Sequence, residues 1–589
     1  MRSTETRWVI NETDANLELM SKVLGISKTM AHVMACRGIR TKSTALQFLN
    51  PALDKLHDTM TMKGAINAIN RIKKAIPNEK ITVYGDYDVD GIMSTVIMYK
   101  CLAALGANCS YYIPHRVEEG YGMNLNAVEK LARDGTGLIL AVDNGISSVS
   151  EVNAAAAHGV DVVIIDHHEP AYAYEGDTKL DILPAAAAIV DPKQSECSYP
   201  FKENCAAGLS FKLATALYEN IGVPFDLRDE LLVFAAIASL CDIVILQNEN
   251  RTLVSEGLKI LNENKLINPG LGSLITLRGY LEKPIDAFSV GFVIGPCLNA
   301  TGRLESASLA VELLLADRDD IKKRLDLSHK LEELNENRKK LTSDCVERAL
   351  SLLEEDLPKI IVLIDNEAHE SVVGIVAGRV RESTCRPTIL LTQGDGAMKG
   401  SGRSIEAYNM FEALYAHRHL FTRFGGHTMA AGLTLPEENI APLREALNQD
   451  CTLEEADFRP NLRIDCELSA NEINLELAYE LARLAPFGKG NDEPIFVSYS
   501  LYAESVRVLD EKNTLIFNFN KDGSRIKGIA FGLNKHFHEV VNKAGRRANG
   551  GFHMDVVYAV EVNVWNNVTE VQVRVKDFKI AECEASFPA

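Results

Sequence analysis

Three short β-rich runs in the first third of the chain each lead into acidic residues, and this repetition restricts the fold more than any other feature. Ile81-Thr-Val-Tyr84 runs into Asp86-Tyr-Asp-Val-Asp-Gly91, Leu138-Ile-Leu-Ala-Val142 into Asp143-Asn-Gly145, and Val162-Val-Ile-Ile165 into Asp166-His-His168. Helical stretches over Gly91–Leu105 and the alanine-rich 147–158 separate them. Such alternation predicts βαβ units on a parallel sheet with right-handed crossovers. In an open parallel sheet the crevice outside the strand C-termini is where ligands bind. So many carboxylates gathered there repel one another unless a cation compensates them.

Oxygen donors with one or two imidazoles suit Mn²⁺ or Mg²⁺, or a pair of such ions, and a thiolate-free set argues against structural zinc. Each piece alone has a plainer reading, such as a helix N-cap. A calcium loop is excluded, because Gly91-Ile-Met-Ser-Thr-Val-Ile-Met98 brings no glutamate to the required position. Asp242 adds weight. It interrupts the apolar run Leu231–Leu246, where an isolated buried charge is costly and a metal or a metal-bound histidine is the economical partner.

At ~150 residues per domain, 589 residues allow three or four domains. A formal net charge of −19 argues against a protein that coats nucleic acid non-specifically, yet leaves room for a local basic groove. The 12 cysteines include no CxxC pair, and the first residues carry no apolar leader, so reduced thiols and a cytoplasmic location are expected. The run Leu231–Leu246 is short for a bilayer span and carries a carboxylate. It reads as a buried core helix, with no membrane association.

The periodicity divides the chain into a helical N-terminal segment (1–75), an α/β domain (76–310), a long charged connecting helix (311–358), a second α/β domain (359–455) and a C-terminal β-barrel (460–582). The barrel is read from alternating runs such as Val506-Arg-Val-Leu509, Leu515-Ile-Phe-Asn-Phe519 and Val571-Gln-Val-Arg-Val575.

Asp86-Tyr-Asp-Val-Asp-Gly91, Val142-Asp-Asn-Gly145 and Asp166-His-His168 resemble the first three motifs of the DHH phosphoesterases, and Asp242 falls where the fourth would. Within that family the single-strand-specific exonuclease branch is the most similar. Further matches are Ile113-Pro-His-Arg116, Gly295-Pro-Cys-Leu-Asn-Ala-Thr-Gly-Arg303, Gly400-Ser-Gly-Arg-Ser404 and Phe424-Gly-Gly-His427. The resemblance implies a DHH parallel-sheet domain and a DHHA1 α/β domain joined by a long helix, with a C-terminal OB-like barrel. It also implies a 5′→3′ exonuclease on single-stranded DNA that releases 5′-mononucleotides with two ions, Mn²⁺ or Mg²⁺.

Carried over position by position, Asp88, Asp90, Asp143, His167 and Asp242 match metal-binding residues, and Asp86 assists. His168 contacts the scissile phosphate or protonates the leaving group, and Asp166 orients a histidine. Arg116, Arg303, Ser401 and Arg403 match phosphate-holding positions, with His427 beside the nucleotide. The Gly400–Ser404 stretch is expected to let backbone amides approach an anion while Arg403 supplies a bidentate fork. Phe487, Lys489, Phe517, Phe519 and Trp565 are the barrel's candidate strand contacts. Single-stranded DNA is the implied partner, with a single-strand-binding protein and a helicase as candidate protein partners of a monomer. The rival enzyme reading is a DHH phosphoesterase acting on short oligonucleotides, cyclic dinucleotides or pyrophosphate. Such enzymes usually lack the C-terminal barrel. A third reading is a non-catalytic scaffold, which the intact set of acids and histidines opposes.

Overall fold

The computed structural model describes residues 6–175, 178–394, 396–566 and 568–581. The chain divides into two compact units, Ala52–Phe458 and a second made of Met1–Pro51 with Arg459–Ala589.

In the first unit the three β-rich runs are β1 (Lys80–Tyr84), β3 (Thr136–Val142) and β4 (Asp161–Ile165). With β2 (Asn108–Tyr112) and β5 (Ala188–Val190) they form a five-stranded sheet in the order β2-β1-β3-β4-β5, parallel throughout. All three run their C-termini to the same edge, as the alternation predicts. Helices α1 (Val89–Ala104), α3 (Ala206–Ile221) and α4 (Arg228–Cys241) pack on one another in the core beside this sheet, and α2 (Val149–Ala157) belongs to a smaller cluster with Ile139, Ala141 and Ile164. The apolar run after Leu231 is buried through Ser239, as expected of a core helix. Among the described residues no helix is long and apolar enough to cross a membrane.

A helical run of 18 residues over Ala287–Leu304, here α5, passes the ends of the sheet and contains a π-helical turn at Val290–Ile294. Pro296 explains that turn: it has no N–H and its ring would collide with the carbonyl four residues back, so Gly295 N bonds Val290 O instead. The charged stretch forms one continuous helix, α6 (Ile321–Ser351), shorter than its composition suggested, with Asp320 as N-cap. The second sheet orders β9 (Arg423–His427), β10 (Ala430–Leu435), β8 (Met398–Arg403), β7 (Thr388–Gln393) and β6 (Ile361–Ile364). Only β6 and β7 are parallel, and α7 (Val373–Thr384) covers the sheet beside β7 and β8.

The second unit contains a closed five-stranded barrel of Phe496–Leu509, Thr514–Lys521, Ser524–Phe531, Val568–Ile580 and Phe552–Trp565, sealed by antiparallel pairing of the first with the last. Of the lead-in expected over 1–75, the described residues up to Pro51 belong to this unit, and several of them share its core. Trp8-Val-Ile10 forms a strand paired with Leu462–Ile464, and Met30, Met34 and Phe48 pack in the same cluster as the barrel interior. Helical periodicity hid this four-residue strand. Phe517 and Phe519 stack on each other at 5.1 Å with no solvent exposure. They are core rather than strand contacts, because odd-numbered residues of that strand face inward. Phe487 is half-buried, Lys489 is exposed, and the side chain of Trp565 lies outside the described residues.

Candidate metal centre and phosphate cavity

The loop after β1 folds back on itself. Asp88 caps α1, its carboxylate accepting from Gly91 N at 3.1 Å. A Cβ on Gly91 would stand 2.6 Å from Cβ and the carbonyl oxygen of Asp86, so only glycine lets Asp86 and α1 approach this closely. Asp90, buried in the first turn, accepts from Ala206 N and Ala207 N, both at 2.8 Å. Helix α3 has no side-chain cap of its own, so Asp90 terminates it from a distant part of the sequence.

Asp143 follows β3 in the left-handed conformation, φ +63°, which aspartate tolerates better than bulkier residues. Its N–H continues the sheet by donating to Ile165 O. After β4, Asp166 is fully buried and accepts from Ile146 N, His167 N and His168 Nδ1, the last at 2.7 Å. Asp242 caps the C-terminal end of α4 with its side chain 25% exposed.

These loops converge. Ligand atoms of Asp86, Asp88 and Asp143 lie within 4.8 Å of one another, as do those of Asp90, His167 and Asp242, and those of Asp143, His167 and His168. His167 Nε2 stands 3.2 Å from Asp143 Oδ1 and 3.6 Å from Asp90 Oδ2, while its Nδ1 lies 3.9 Å from Asp242. Asp143 therefore links the first of these groups to the third, and His167 links the second to the third.

Burial raises Asp86 and Asp143 well above the usual carboxylate range, reinforced by Asp88 for the first and by Asp90 and Asp88 for the second. Asp90 is pushed up to about 6 and Asp242 to about 7, again by burial and then by neighbouring aspartates. Asp86 Oδ1 and Asp143 Oδ1 are buried without a hydrogen bond. Buried oxygens left unpaired among like charges fit hard divalent cations. His168 differs. Burial lowers it, but Asp166 outweighs that and pushes it up to about 9, so it is an imidazolium at neutral pH.

Beside this pit a cavity of about 800 Å³ lies between the two α/β sheets, with Tyr87, Arg116, Tyr121, Ser371 and Ser401 on its wall. Arg116 sits 4.7 Å over the ring of Tyr87. Arg403 donates to Ser401 Oγ at 2.7 Å, and Arg303 donates to Ser371 O at 2.9 Å. Burial and the nearby Arg116 and Arg338 lower Arg303 to about 10. Crowding of guanidinium groups calls for an anion. His427 ends β9 and is exposed, two residues beyond Gly425 on the cavity wall.

The glycine motifs work differently from the expectation. Gly400–Arg403 is an inner strand paired on both sides, so its amides serve the sheet rather than a bound anion. A Cβ on Gly400 would lie 2.4 Å from Leu391 and one on Gly374 2.7 Å from Arg403 Nη2, so these glycines create room. Sequence reasoning missed Tyr121, whose hydroxyl lies 3.2 Å from His168 and donates to Asp143 O, and Tyr87, which carries Arg116. Tyr87 had one signal, its place inside the first aspartate motif, and Tyr121 had its place between Gly120 and Gly122.

A parallel sheet holding an aspartate–histidine pit at its strand ends, joined by a long helix to a second small sheet, defines the DHH–DHHA1 class of α/β proteins. Residues 80–238 match the DHH family N-terminal domain, 357–452 the DHHA1 domain and 464–577 the RecJ OB domain. The single-stranded-DNA-specific exonuclease RecJ of Bacillus subtilis is 36% identical over 591 residues, covering 99% of this chain and 72% of its own. The solved structure of Thermus thermophilus RecJ in complex with Mn²⁺ matches with a TM-score of 0.81 at 29% identity, over 99% of this chain and 81% of that one. The same protein in complex with Mg²⁺ gives 0.76 at 28% identity, over 99% and 80%. The chain belongs to the RecJ family.

Proposed function

We propose that the chain is a metal-dependent, single-stranded-DNA-specific exonuclease that works 5′→3′ and releases 5′-mononucleotides. The observation that carries this reading is the set of three donor groups linked through Asp143 and His167, set beside a cavity with Arg116 and Arg423 on its wall. Asp88, Asp90, Asp143, His167 and Asp242 would hold two Mn²⁺ or Mg²⁺ ions, with Asp86 supporting the first group. When bound, such ions lower the pKa of a water and neutralise charge developing on the phosphate.

The protein's own residues then position the strand. Arg116, Ser401 and Arg403 grip the terminal phosphate, and Arg303 braces the far side of the cavity through Ser371. Asp166 holds His168 protonated, so its Nε2, 3.2 Å from the Tyr121 hydroxyl, can donate to the scissile phosphate or give a proton to the departing 3′ oxygen. Asp86 Oδ1 and Asp143 Oδ1 are buried acceptors without a hydrogen bond, which favours cations between them.

The domain assignment belongs to the same proposal: 76–310 catalytic, 311–358 connecting, 359–455 phosphate-gripping, 460–582 strand-binding. An enzyme confined to single strands depends on a source of them, which supports a helicase and a single-strand-binding protein as partners of a cytoplasmic monomer. Release of mononucleotides from 5′- and 3′-labelled single strands, with Mn²⁺ and with chelator, tests the reading. Label freed first from the 5′ end and only with metal is the expected result. Metal-independent release, or none, would overturn it.

A further inference from the structure

We propose that Glu119 is a positioning residue for the reaction: its carboxylate fixes the loop that carries Arg116 to the cavity and Tyr121 to the metal pit, so that one side chain governs both the grip on the terminal phosphate and the surroundings of His168. This rests on the nuclease reading above. The loop begins after Tyr112, the last residue of β2, and ends at Asn124, which caps the helix Leu125–Arg133. None of residues 115–121 is buried, so the loop adds nothing to the core. Gly120 and Gly122 lie at φ +84° and +81°, a region glycine enters freely, so the chain on either side of Tyr121 has little stiffness of its own. Such a stretch keeps one shape only where contacts fix it.

Yet its two working side chains are firmly placed. Arg116 lies 4.7 Å over the ring of Tyr87 and lines the cavity. Tyr121 donates to Asp143 O at 3.2 Å, lies 3.2 Å from His168 Nε2, and meets Tyr87 edge to face at 6.4 Å.

Glu119 supplies the anchor. Its Oε1 accepts from the Tyr112 hydroxyl at 2.5 Å and from Asn124 Nδ2 at 3.1 Å, which ties the start of the loop to its end. Its Oε2 accepts from His115 N at 2.6 Å, and its own N–H donates to His115 O at 2.8 Å. Those two bonds close a ring from His115 to Glu119, with Arg116 inside it. The frame reaches the sheet through Tyr84, fully buried at the end of β1. Asn124 Nδ2 donates to the Tyr84 hydroxyl at 3.3 Å, and that hydroxyl donates to Gly122 O at 3.2 Å. Asp86 follows two residues later, so the loop is held to the strand that leads into the pit. Burial raises Glu119, but the bonds from Tyr112, His115 and Asn124 outweigh it and keep the carboxylate below the usual glutamate range, hence charged at neutral pH. A charged acceptor shared by three donors is a stiff joint. Stiffness matters here, because a displacement of about 1 Å in a group that positions substrate costs on the order of 10²-fold in rate.

The test compares Glu119→Ala and Glu119→Gln in the full chain, alone and combined with Arg116→Ala or Tyr121→Phe. Binding of dT20 with and without a 5′ phosphate is measured in chelator, and steady-state cleavage in Mn²⁺. Glu119→Ala is expected to shrink the preference for the 5′-phosphorylated strand about tenfold and to lower kcat about tenfold, with Tm unchanged. In Glu119→Gln an oxygen still accepts from His115 N, and most of the loss should be recovered. Once Arg116 is removed, Glu119→Ala should cost no further 5′-phosphate preference, and beside Tyr121→Phe it should lower kcat less than it does alone. Losses that multiply across the double variants, an unchanged preference and kcat, or inactivity that only tracks a fallen Tm would overturn the proposal. A wild type that loses its 5′-phosphate preference with Glu119→Ala but cuts nothing would sink the nuclease reading and leave the hold of Glu119 on Arg116 standing. Cleavage that Glu119→Ala leaves unaltered would do the reverse.

Discussion

His168 Nδ1 lies 2.7 Å from Oδ1 of Asp166, a carboxylate with no exposure to solvent. Asp166 also takes three backbone N–H groups, two of them from His167 and His168 themselves. The histidine is thus fixed in orientation and in charge by one buried acid, whose own pKa falls despite burial because His168 hydrogen-bonds it.

Asp166→Asn removes the charge and keeps the shape. His168 should then drop from about 9 toward its ordinary value. Its protonated form is lost as pH rises through that value, so the alkaline limb of the rate profile should move to lower pH. At pH 8 turnover should fall on the order of 10²-fold, the usual scale of a general acid. A pH–rate series on a labelled single strand checks this; an unmoved alkaline limb would refute the role of Asp166.

The acid pit should destabilise the protein when its cations are removed. Asp90 and Asp242 stand at about 6 and about 7 when folded, above the ~3.9 of an unfolded aspartate. The folded state therefore binds more protons than the unfolded one between those limits, and stability must fall as pH rises through them. In chelator the Tm should be lower at pH 8 than at pH 5.5, and Mn²⁺ should restore it most at pH 8. Asp143→Ala should abolish turnover yet raise the chelated Tm at pH 8. Calorimetry decides, and a Tm that rises with pH in chelator would contradict the account.

Arg403 is held by Ser401 and by the space above Gly374. Gly374→Ala would push a Cβ to 2.7 Å from Nη2, a movable side-chain end, so the fold should survive while the guanidinium shifts. We expect KM for a 5′-phosphorylated strand to rise about tenfold with kcat and Tm little changed, and Arg403→Lys to cost more because its fork is lost. Steady-state kinetics with and without the 5′ phosphate measures both.

Phe519 should behave as a core residue of the barrel. Phe519→Ala is expected to cost about 3–5 kcal/mol of stability, with strand affinity unchanged below the melting range. Denaturant unfolding beside a binding titration separates the two effects.

Much of this protein could be read before any coordinates. Strand runs ending in acids identify the parallel sheet, because the period of the apolar residues and the placement of carboxylates are both local. Gly145, at φ +110°, marks a tight loop, and Gly91 lets the first turn of α1 approach Asp86. The glycines of β8 misled, since turn, anion nest and inner strand share one local signature and only the partner strands distinguish them. Phe517 and Phe519 could have pointed either way until the barrel's register set their side.

The letters alone determined which chemical groups the chain owns and the order in which strands present them. They could not decide that Asp90 closes a helix beginning at Ala206, that Arg303 meets Ser371, or that residues 7–10 join a sheet some 450 positions away. Contacts of that range follow from how whole elements pack, which depends on the balance of burial and hydrogen bonding over the entire chain and leaves no trace in a short window of sequence.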